Sequence, residues 1–234
     1  MKVRINSFQS LGALDGPGIR FVVFFQGCNL RCGCCHNPET FDILGGKEYT
    51  AKEIVERVER YKEYFKKEGG ITLSGGEPTL QPEFAKEIFT LCKQKGINTC
   101  LDTSGSILNN SVKELFKVTD RVLLDIKYTN DADYEKYVGC SLKAPLETLK
   151  YLKQNNIPVT LRQVIVPTIN DNEKNILELK KLLKDYPVID GVELLPFKKI
   201  CQVKYDKLKK DFPFKDIPEA TPGKIKELEK LLLE

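Results

Sequence analysis

Short apolar runs alternate along the chain with amphipathic stretches, and this alternation predicts a strand followed by a helix, repeated several times. We expect the strands to be buried, because their runs are continuously apolar. Six strands are predicted, at residues 21–25, 71–73, 97–101, 121–124, 159–166 and 188–195. Helices are predicted at residues 50–65, 82–96, 111–116, 145–154, 173–184 and 222–232.

Strands that alternate with helices pair in parallel through right-handed crossovers, so the chain is predicted to be an α/β protein. Six such units, rather than the eight of a closed barrel, predict a partial (β/α)6 barrel of parallel strands. The competing architecture is an open, doubly wound sheet. No repeat, low-complexity tract or Gly/Ser linker divides the chain, so we expect a single domain over residues 1–234.

Composition excludes several kinds of active site. The chain is 41% hydrophobic and 30% charged, which is typical of a globular protein. With one histidine, His36, it cannot contain an HExxH zinc site or a catalytic histidine pair. The net charge of +4 comes from lysines interleaved with glutamates, which favours a solvated surface over nucleic-acid binding. Without a leader-like or membrane-length apolar segment, the protein is expected to be cytoplasmic, with reduced thiols and no membrane partner.

Polar and glycine-rich motifs follow the predicted strands. Because the carboxyl ends of parallel strands share one face, we expect these motifs to form one active site there. In chain order they are Gly27-Cys28, Ser74-Gly75-Gly76-Glu77-Pro78, Asp102-Thr103-Ser104-Gly105, Asp125-Ile126-Lys127, Arg162 and Leu195-Pro196-Phe197-Lys198.

Half of the eight cysteines lie within eight residues, with the spacing Cys28-x3-Cys32-x2-Cys35. Thiolates so placed in a loop favour an iron–sulfur cluster or zinc. Three cysteines on a four-iron cluster leave one iron without a protein ligand, and such a position suits the direct binding of a substrate. Cys34 adjoins Cys35 and cannot easily reach the same cluster, so its default role is that of a small, buried side chain.

The cysteine motif, followed by His36-Asn37, resembles the signature of radical S-adenosylmethionine enzymes. The segment Asp15-Gly16-Pro17-Gly18-Ile19-Arg20 is similar to one in the family that activates glycyl radical enzymes. The resemblance extends over nearly the whole chain and is strongest to the branch whose partner is pyruvate formate-lyase. No cysteine lies between His36 and Gly70, so the chain resembles the short form without a ferredoxin-like insertion.

The resemblance implies a [4Fe-4S] cluster on Cys28, Cys32 and Cys35, with S-adenosylmethionine bound to the remaining iron. The implied reaction, under anaerobic conditions, is reductive cleavage of this cofactor to a 5′-deoxyadenosyl radical, which takes a hydrogen atom from a glycine Cα of the partner. A flavodoxin or ferredoxin is implied as electron donor. The protein is expected to be a monomer, and no side chain is expected to act as a general acid or base.

Several residues match the family's cofactor contacts. Gly75 and Gly76 are expected to allow close approach of the methionyl end, because glycine has no Cβ. Lys127 and Arg162 are expected to donate to the carboxylate and sugar hydroxyls, whereas Glu77 either contacts the ammonium group or braces its own loop. The other expected contacts are Cys34, His36, Asn37, Asp102 and Asp125.

The resemblance also implies a site for a monovalent cation and a site for the partner peptide. The expected cation ligands are Asp102, Thr103 and Asp125, for which capping or bracing of a loop is the alternative role. The peptide, held extended beside the cofactor, is expected to contact Asp15, Gly16, Pro17, Gly18 and Arg20. For that segment the alternative is a simple turn that leads into the first strand.

Three residues depart from the family pattern. Cys34 replaces an aromatic residue expected against adenine, Lys198 stands at a histidine position, and Cys201 stands at a glycine position. Two alternatives therefore stay open. One is a radical S-adenosylmethionine enzyme that acts on another glycyl radical enzyme, a small molecule, a peptide tag or RNA. The other is a non-catalytic iron–sulfur or zinc module.

Overall fold

The computed structural model describes all residues from Met1 to Glu234. The strands are β1 (Lys2–Gly12), β2 (Arg20–Phe25), β3 (Lys47–Thr50), β4 (Gly70–Gly75), β5 (Asn98–Thr103), β6 (Arg121–Asp125), β7 (Val159–Ile165) and β8 (Ile189–Pro196). The α-helices are α1 (Ala51–Glu59), α2 (Lys62–Phe65), α3 (Pro82–Gln94), α4 (Asn110–Phe116), α5 (Asp131–Tyr137), α6 (Lys143–Gln154), α7 (Glu173–Asp185), α8 (Gln202–Lys207) and α9 (Pro222–Leu233). None of the helices has the length and apolar character that a membrane span requires.

All the strands belong to one sheet, in the order β3-β1-β2-β4-β5-β6-β7-β8. The pairs β2–β4, β4–β5 and β7–β8 are parallel, whereas β1 runs antiparallel to both β2 and β3. β3 and β8 are the edges, so the sheet is not closed. The predicted α/β fold with a mostly parallel, partial barrel is therefore confirmed.

The apolar runs of the sequence become the buried strands. Phe21, Val22 and Val23 of β2 are almost completely buried, as expected for a strand covered on both faces. The capping box predicted from Thr50 and Glu53 is present at the start of α1, where each residue's side chain accepts a hydrogen bond from the other's backbone N–H.

The sequence pattern does not predict β1, β3, α5 or α8. β1 has many half-buried and exposed positions and β3 has only four residues, so neither contains a continuous apolar run. α5 and α8 each bury a single side chain, Tyr134 and Tyr205, so neither shows apolar positions that recur at helical spacing. The helix predicted at residues 50–65 is divided at Tyr61, where φ of −108° and ψ of 5° leave the helical region.

The chain forms two compact units. Unit 1 consists of Met1–Asn29 and Thr40–Leu123, and it contains β1–β5 with α1–α4. Unit 2 consists of Leu30–Glu39 and Leu124–Glu234, and it contains β7 and β8 with α5–α9. The sequence expectation of one domain over residues 1–234 stays a prediction.

Arg20, the first residue of β2, is completely buried in unit 1. Its Nε donates to Thr72 Oγ1 at 3.0 Å, and its Nη1 donates to Glu68 O at 3.0 Å and Asn98 Oδ1 at 2.8 Å. Thr72 Oγ1 in turn donates to Asp15 O at 2.7 Å. The guanidinium group therefore joins the start of β2 to β4 and β5, and Thr72 attaches the loop before β2 to the same network.

Arg20→Lys is expected to lower the free energy of unfolding by about 3 kcal/mol or more, because an ammonium group cannot reach acceptors in several directions and leaves buried ones unpaired. Urea unfolding measures this change. The exposed Arg60→Lys serves as the control and should change the free energy by less than about 0.5 kcal/mol. Equal effects of the two substitutions would contradict the role of Arg20.

Candidate active site

The cysteine segment, residues 28–35, carries reduced thiols that are either half-buried or buried. None of the eight cysteines forms a disulfide, and Cys28, Cys32 and Cys35 are half-buried. Cys34 is only 7% exposed, and burial raises the pKa of its thiol, as expected for a small buried side chain. The structure holds no group of three or more His, Cys, Asp or Glu side chains arranged to bind a metal ion. The three half-buried thiols, as soft ligands, fit a cluster by their chemistry.

In unit 2, backbone hydrogen bonds hold the segment around Cys32 and Cys35. Arg31 N donates to Val138 O at 3.2 Å, and Gly33 N donates to Tyr137 O at 2.8 Å. Gly33 also lies directly on the ring of Phe214, since a Cβ at this position would come within 2.5 Å of it. Only glycine fits between the two ligand candidates in this conformation.

An aromatic row supports this segment. The row consists of Tyr128, Tyr137, Phe214, Phe197, Phe212 and Tyr205, whose successive ring centroids are 4.8–6.2 Å apart. Such distances are typical of favourable aromatic contacts. The hydroxyls at the two ends of the row, on Tyr128 and Tyr205, are buried and have no hydrogen-bond partner. Buried donors next to a thiol segment are a second feature that fits a group rich in sulfur acceptors.

His36 and Asn37 are bound to the residues that follow β8. His36 Nε2 lies 3.0 Å from Lys198 O, and burial lowers the pKa of the imidazole, so the neutral ring donates this bond. Lys204 Nζ donates to Asn37 Oδ1 at 2.9 Å and pairs with Glu39 Oε1 at 2.6 Å. The expected cofactor contacts of His36 and Asn37 stay predictions, and the structure adds their role in anchoring the segment.

Lys127 is held as a cation in unit 2. Its ammonium group forms an ion pair with Asp125. Burial by itself lowers the pKa of Lys127, but the Asp125 carboxylate and the thiols of Cys32 and Cys34 outweigh it and hold the pKa well above its usual value. The positively charged ammonium group of Lys127 therefore lies within electrostatic range of the cysteine segment. A positive charge at this position suits the contact with the cofactor's carboxylate that is expected for Lys127.

Arg162 is the other expected donor. It lies in β7, with its side chain only 12% exposed, and its Nε is 3.2 Å from Glu193 Oε2 on the paired strand β8. The Glu193 side chain is 41% exposed, so the pair lies at the boundary between the interior and solvent. Glu193 was not among the predicted site residues, although it lies only two residues before the predicted motif Leu195-Pro196-Phe197-Lys198.

The glycine-rich loop after β4 is shaped by β2. Gly76 N donates to Phe25 O at 3.0 Å, and Glu77 N donates to Gly27 O at 2.8 Å. A Cβ on Gly76 would overlap the carbonyl oxygen of Gly27. Backbone packing therefore already requires glycine here, whatever binds to the loop. The expected cofactor contacts of Gly75 and Gly76 stay predictions.

Glu77 is buried and braces its own loop, which was one of its two expected roles. Its Oε1 accepts hydrogen bonds from Thr79 Oγ1 and Thr103 Oγ1, both at 2.7 Å. Its Oε2 accepts from Ser104 N at 2.9 Å and Ser104 Oγ at 2.5 Å. The carboxylate, 2% exposed, joins the loops after β4 and β5. Ser104 belongs to the predicted motif Asp102-Thr103-Ser104-Gly105, where no role was assigned to it, and Thr79 directly follows the motif that ends at Pro78.

The expected cation ligands each have a protein partner. Asp102 Oδ2 accepts a hydrogen bond from Ser74 Oγ at 2.6 Å, Thr103 donates to Glu77, and Asp125 is paired with Lys127. These contacts agree with the alternative role of loop bracing. The monovalent cation stays a prediction.

The segment Asp15–Arg20 packs closely in unit 1. Gly18 has a φ of +68°, and a Cβ there would come within 2.5 Å of Gly69 N, so glycine is required for both reasons. All donor groups of Arg20 point to acceptors inside the unit. The Arg20 side chain, predicted as a contact of the partner peptide, is therefore buried and stabilises the packing of the segment Asp15–Arg20. Peptide binding by Asp15, Gly16, Pro17 and Gly18 stays a prediction.

Comparisons with known proteins identify relatives of the chain. Residues 22–179 match the family model described as the Radical SAM superfamily. The chain is 46% identical over 232 residues to a pyruvate formate-lyase-activating enzyme of Clostridium pasteurianum. This match covers 99% of this chain and 97% of the relative. It is 42% identical over 205 residues to the pyruvate formate-lyase 1-activating enzyme of Escherichia coli K12. This second match covers 86% of this chain and 83% of the relative.

The fold is also similar to that of solved structures. A domain of pyruvate-formate lyase-activating enzyme from Bacteroides vulgatus matches with a TM-score of 0.59 at 22% identity, over 70% of this chain and 93% of that domain. At this level of identity, the likeness concerns the fold.

Glu77→Gln is expected to lower the free energy of unfolding by about 3 kcal/mol, because the amide nitrogen would face the hydroxyl and backbone donors now bound to a carboxylate oxygen. Thermal or urea unfolding of the cluster-free protein measures the change. Glu87→Gln, an exposed site on α3, is the matched control and should be neutral within about 0.5 kcal/mol. A stability of Glu77→Gln equal to that of the control would argue against the brace.

Proposed function

The chain belongs to the radical SAM superfamily and, within it, to the pyruvate formate-lyase-activating enzymes, and from this premise we propose that it activates pyruvate formate-lyase by forming a glycyl radical on it. The observation that carries the proposal is that a chain similar to these relatives along nearly its entire length keeps Cys28, Cys32 and Cys35 as half-buried, reduced thiols.

Enzymes of this superfamily use a [4Fe-4S] cluster and S-adenosylmethionine. In this chain the two would supply reductive cleavage of the cofactor and a 5′-deoxyadenosyl radical able to remove a glycine Cα hydrogen of the partner. Cys28, Cys32 and Cys35 would hold the cluster through their thiolates. Cys34 lies in the interior as a small, buried side chain, and the three flanking cysteines are proposed as the ligands without it.

The cofactor is bound and oriented by groups of fixed charge. Lys127, kept protonated by Asp125, offers a donor to the methionyl carboxylate, and Arg162 offers a second one to the carboxylate or the sugar hydroxyls. The loop with Gly75 and Gly76 supplies backbone groups to the methionyl end of the cofactor. Hydrogen bonds from Thr103 and Ser104 to Glu77 fix the conformation of this loop. The side chains of the enzyme orient the cofactor and do not transfer protons. The reaction therefore does not need a second histidine beside His36, whose imidazole is neutral.

Other expected contacts belong to the same proposal. His36, Asn37, Asp102 and Asp125 line the cofactor, and Asp102, Thr103 and Asp125 bind a monovalent cation. The partner's glycine-bearing peptide lies extended along Asp15–Gly18, where glycines permit a close approach of backbone to backbone. A flavodoxin or ferredoxin delivers the electron, and the protein works as a monomer in the cytoplasm, where its eight thiols stay reduced.

Cys32→Ala is expected to abolish cofactor cleavage, because the cluster loses a ligand. The protein is reconstituted anaerobically with iron and sulfide, reduced, and supplied with S-adenosylmethionine, and 5′-deoxyadenosine is measured by chromatography. Its yield should fall at least about 100-fold. Cys140→Ala, which also removes a half-buried thiol of unit 2 but lies outside the motif, should keep wild-type yield. Full retention of activity in Cys32→Ala would refute the proposed cluster.

The identity of the partner has its own test. Pyruvate formate-lyase mixed with the reduced enzyme and S-adenosylmethionine should develop a glycyl radical signal in electron paramagnetic resonance. Replacement of the partner's radical-bearing glycine by alanine should remove the signal. Cofactor cleavage without a glycyl signal on pyruvate formate-lyase would keep the radical chemistry and assign a different substrate.

A further inference from the structure

Two tyrosine hydroxyls in unit 2 are buried without a hydrogen-bond partner. Tyr128 is 1% exposed and Tyr205 is 2% exposed, and neither hydroxyl has a donor or acceptor within reach. Removing a hydroxyl from water without such a partner costs roughly 1–3 kcal/mol. Two such groups at the two ends of one aromatic row require an explanation.

Both tyrosines lie within electrostatic range of the thiols of the cysteine segment. Tyr205 interacts electrostatically with Cys35, Cys201, Cys34 and Cys32, in decreasing order. Tyr128 interacts first with Cys34 and then with Cys32. Burial, reinforced by these thiols, raises the pKa of each phenol, so both hydroxyls keep their proton and remain donors.

Neighbouring contacts hold the two rings in place. The ring of Tyr205 lies 4.8 Å from that of Phe212, and its helix α8 is tied through Lys204 to Asn37 and Glu39, just beyond Cys35. The ring of Tyr128 lies 5.5 Å from that of Tyr137. Neither tyrosine can turn its hydroxyl to solvent without breaking this packing.

Other tyrosines of the same cluster have partners. Tyr134 Oη accepts a hydrogen bond from Lys127 N at 3.1 Å and donates to Asp125 O at 3.3 Å. Tyr137 is half-buried, and the ammonium group of Lys136 lies 4.7 Å from the centroid of its ring. Among the buried tyrosines Tyr128, Tyr134 and Tyr205, only Tyr128 and Tyr205 therefore have a hydroxyl without a hydrogen-bond partner.

We propose that Tyr205 and Tyr128 are positioning residues that donate hydrogen bonds to sulfur atoms of the cluster site formed by Cys32 and Cys35, and thereby raise its reduction potential. This inference rests on the proposed function. The physical reason is that reduction adds negative charge to the cluster, so a donor to sulfur stabilises the reduced form more than the oxidised form. Hydrogen bonds to sulfur are among the main protein influences on the potentials of such clusters.

The test is a redox titration of the anaerobically reconstituted full-length protein, followed by the electron paramagnetic resonance signal of the reduced cluster. Tyr205→Phe and Tyr128→Phe should each make reduction less favourable, by about tenfold in the equilibrium constant, which is about 59 mV for one electron. Tyr137→Phe, which removes the hydroxyl of a half-buried ring in the same row, should leave the potential unchanged. Because the signal comes only from loaded molecules, a lower iron content does not disturb the comparison.

A second measurement uses the cluster-free protein. Since the hydroxyls have no partner there, Tyr205→Phe and Tyr128→Phe should leave the unfolding midpoint unchanged or higher. Potentials equal to the wild-type value in both variants, or a marked loss of stability in their cluster-free forms, would overturn the inference and leave the proposed function intact. A wild-type protein that takes up no cluster would instead overturn the proposed function.

Discussion

The buried carboxylate of Glu77 holds together the active-site end of unit 1. A charge removed from water must be surrounded by donors, and here Thr79, Thr103 and Ser104 supply them. These donors belong to the loops after β4 and β5, so the loops cannot move apart without leaving a charge unpaired. The close backbone approach of Gly76 to Gly27 adds a steric constraint on the same loop. One carboxylate and one glycine thus fix where the backbone groups of this loop lie.

In unit 2, the residues around Cys32 and Cys35 are held by packing rather than by a single charge. The aromatic row supports Gly33 through Phe214, while α8 and the residues after β8 hold His36 and Asn37. The ion pair of Lys127 with Asp125 lies within electrostatic range of the thiols of Cys32 and Cys34. Such rigid support suits an enzyme in which the cofactor carries the chemistry and the protein supplies position and electrostatics.

Much of the fold could be predicted because its signals are local. The runs that become β2, β4 and β7 are apolar throughout, and the termini of α1, α3 and α9 carry capping residues or proline. β1 and β3 could not be predicted in this way, because strands near a sheet edge bury few side chains. α8 likewise buries only Tyr205, so no apolar positions recur at helical spacing in its sequence. The helix nevertheless places Lys204 at Asn37, just beyond the cysteine segment.

The sequence by itself determined the class of chemistry, because the type and spacing of Cys28, Cys32 and Cys35 lie within one short segment. It also placed most site motifs after the strands that carry them. Only the tertiary structure decided what the polar residues do. Arg20 is joined to Asn98 and Glu77 to Thr103, partners 78 and 26 residues away, and Tyr205 interacts electrostatically with thiols about 170 residues earlier in the chain. Whether a polar side chain meets a ligand or the protein's own interior depends on such distant partners, and no local pattern encodes them.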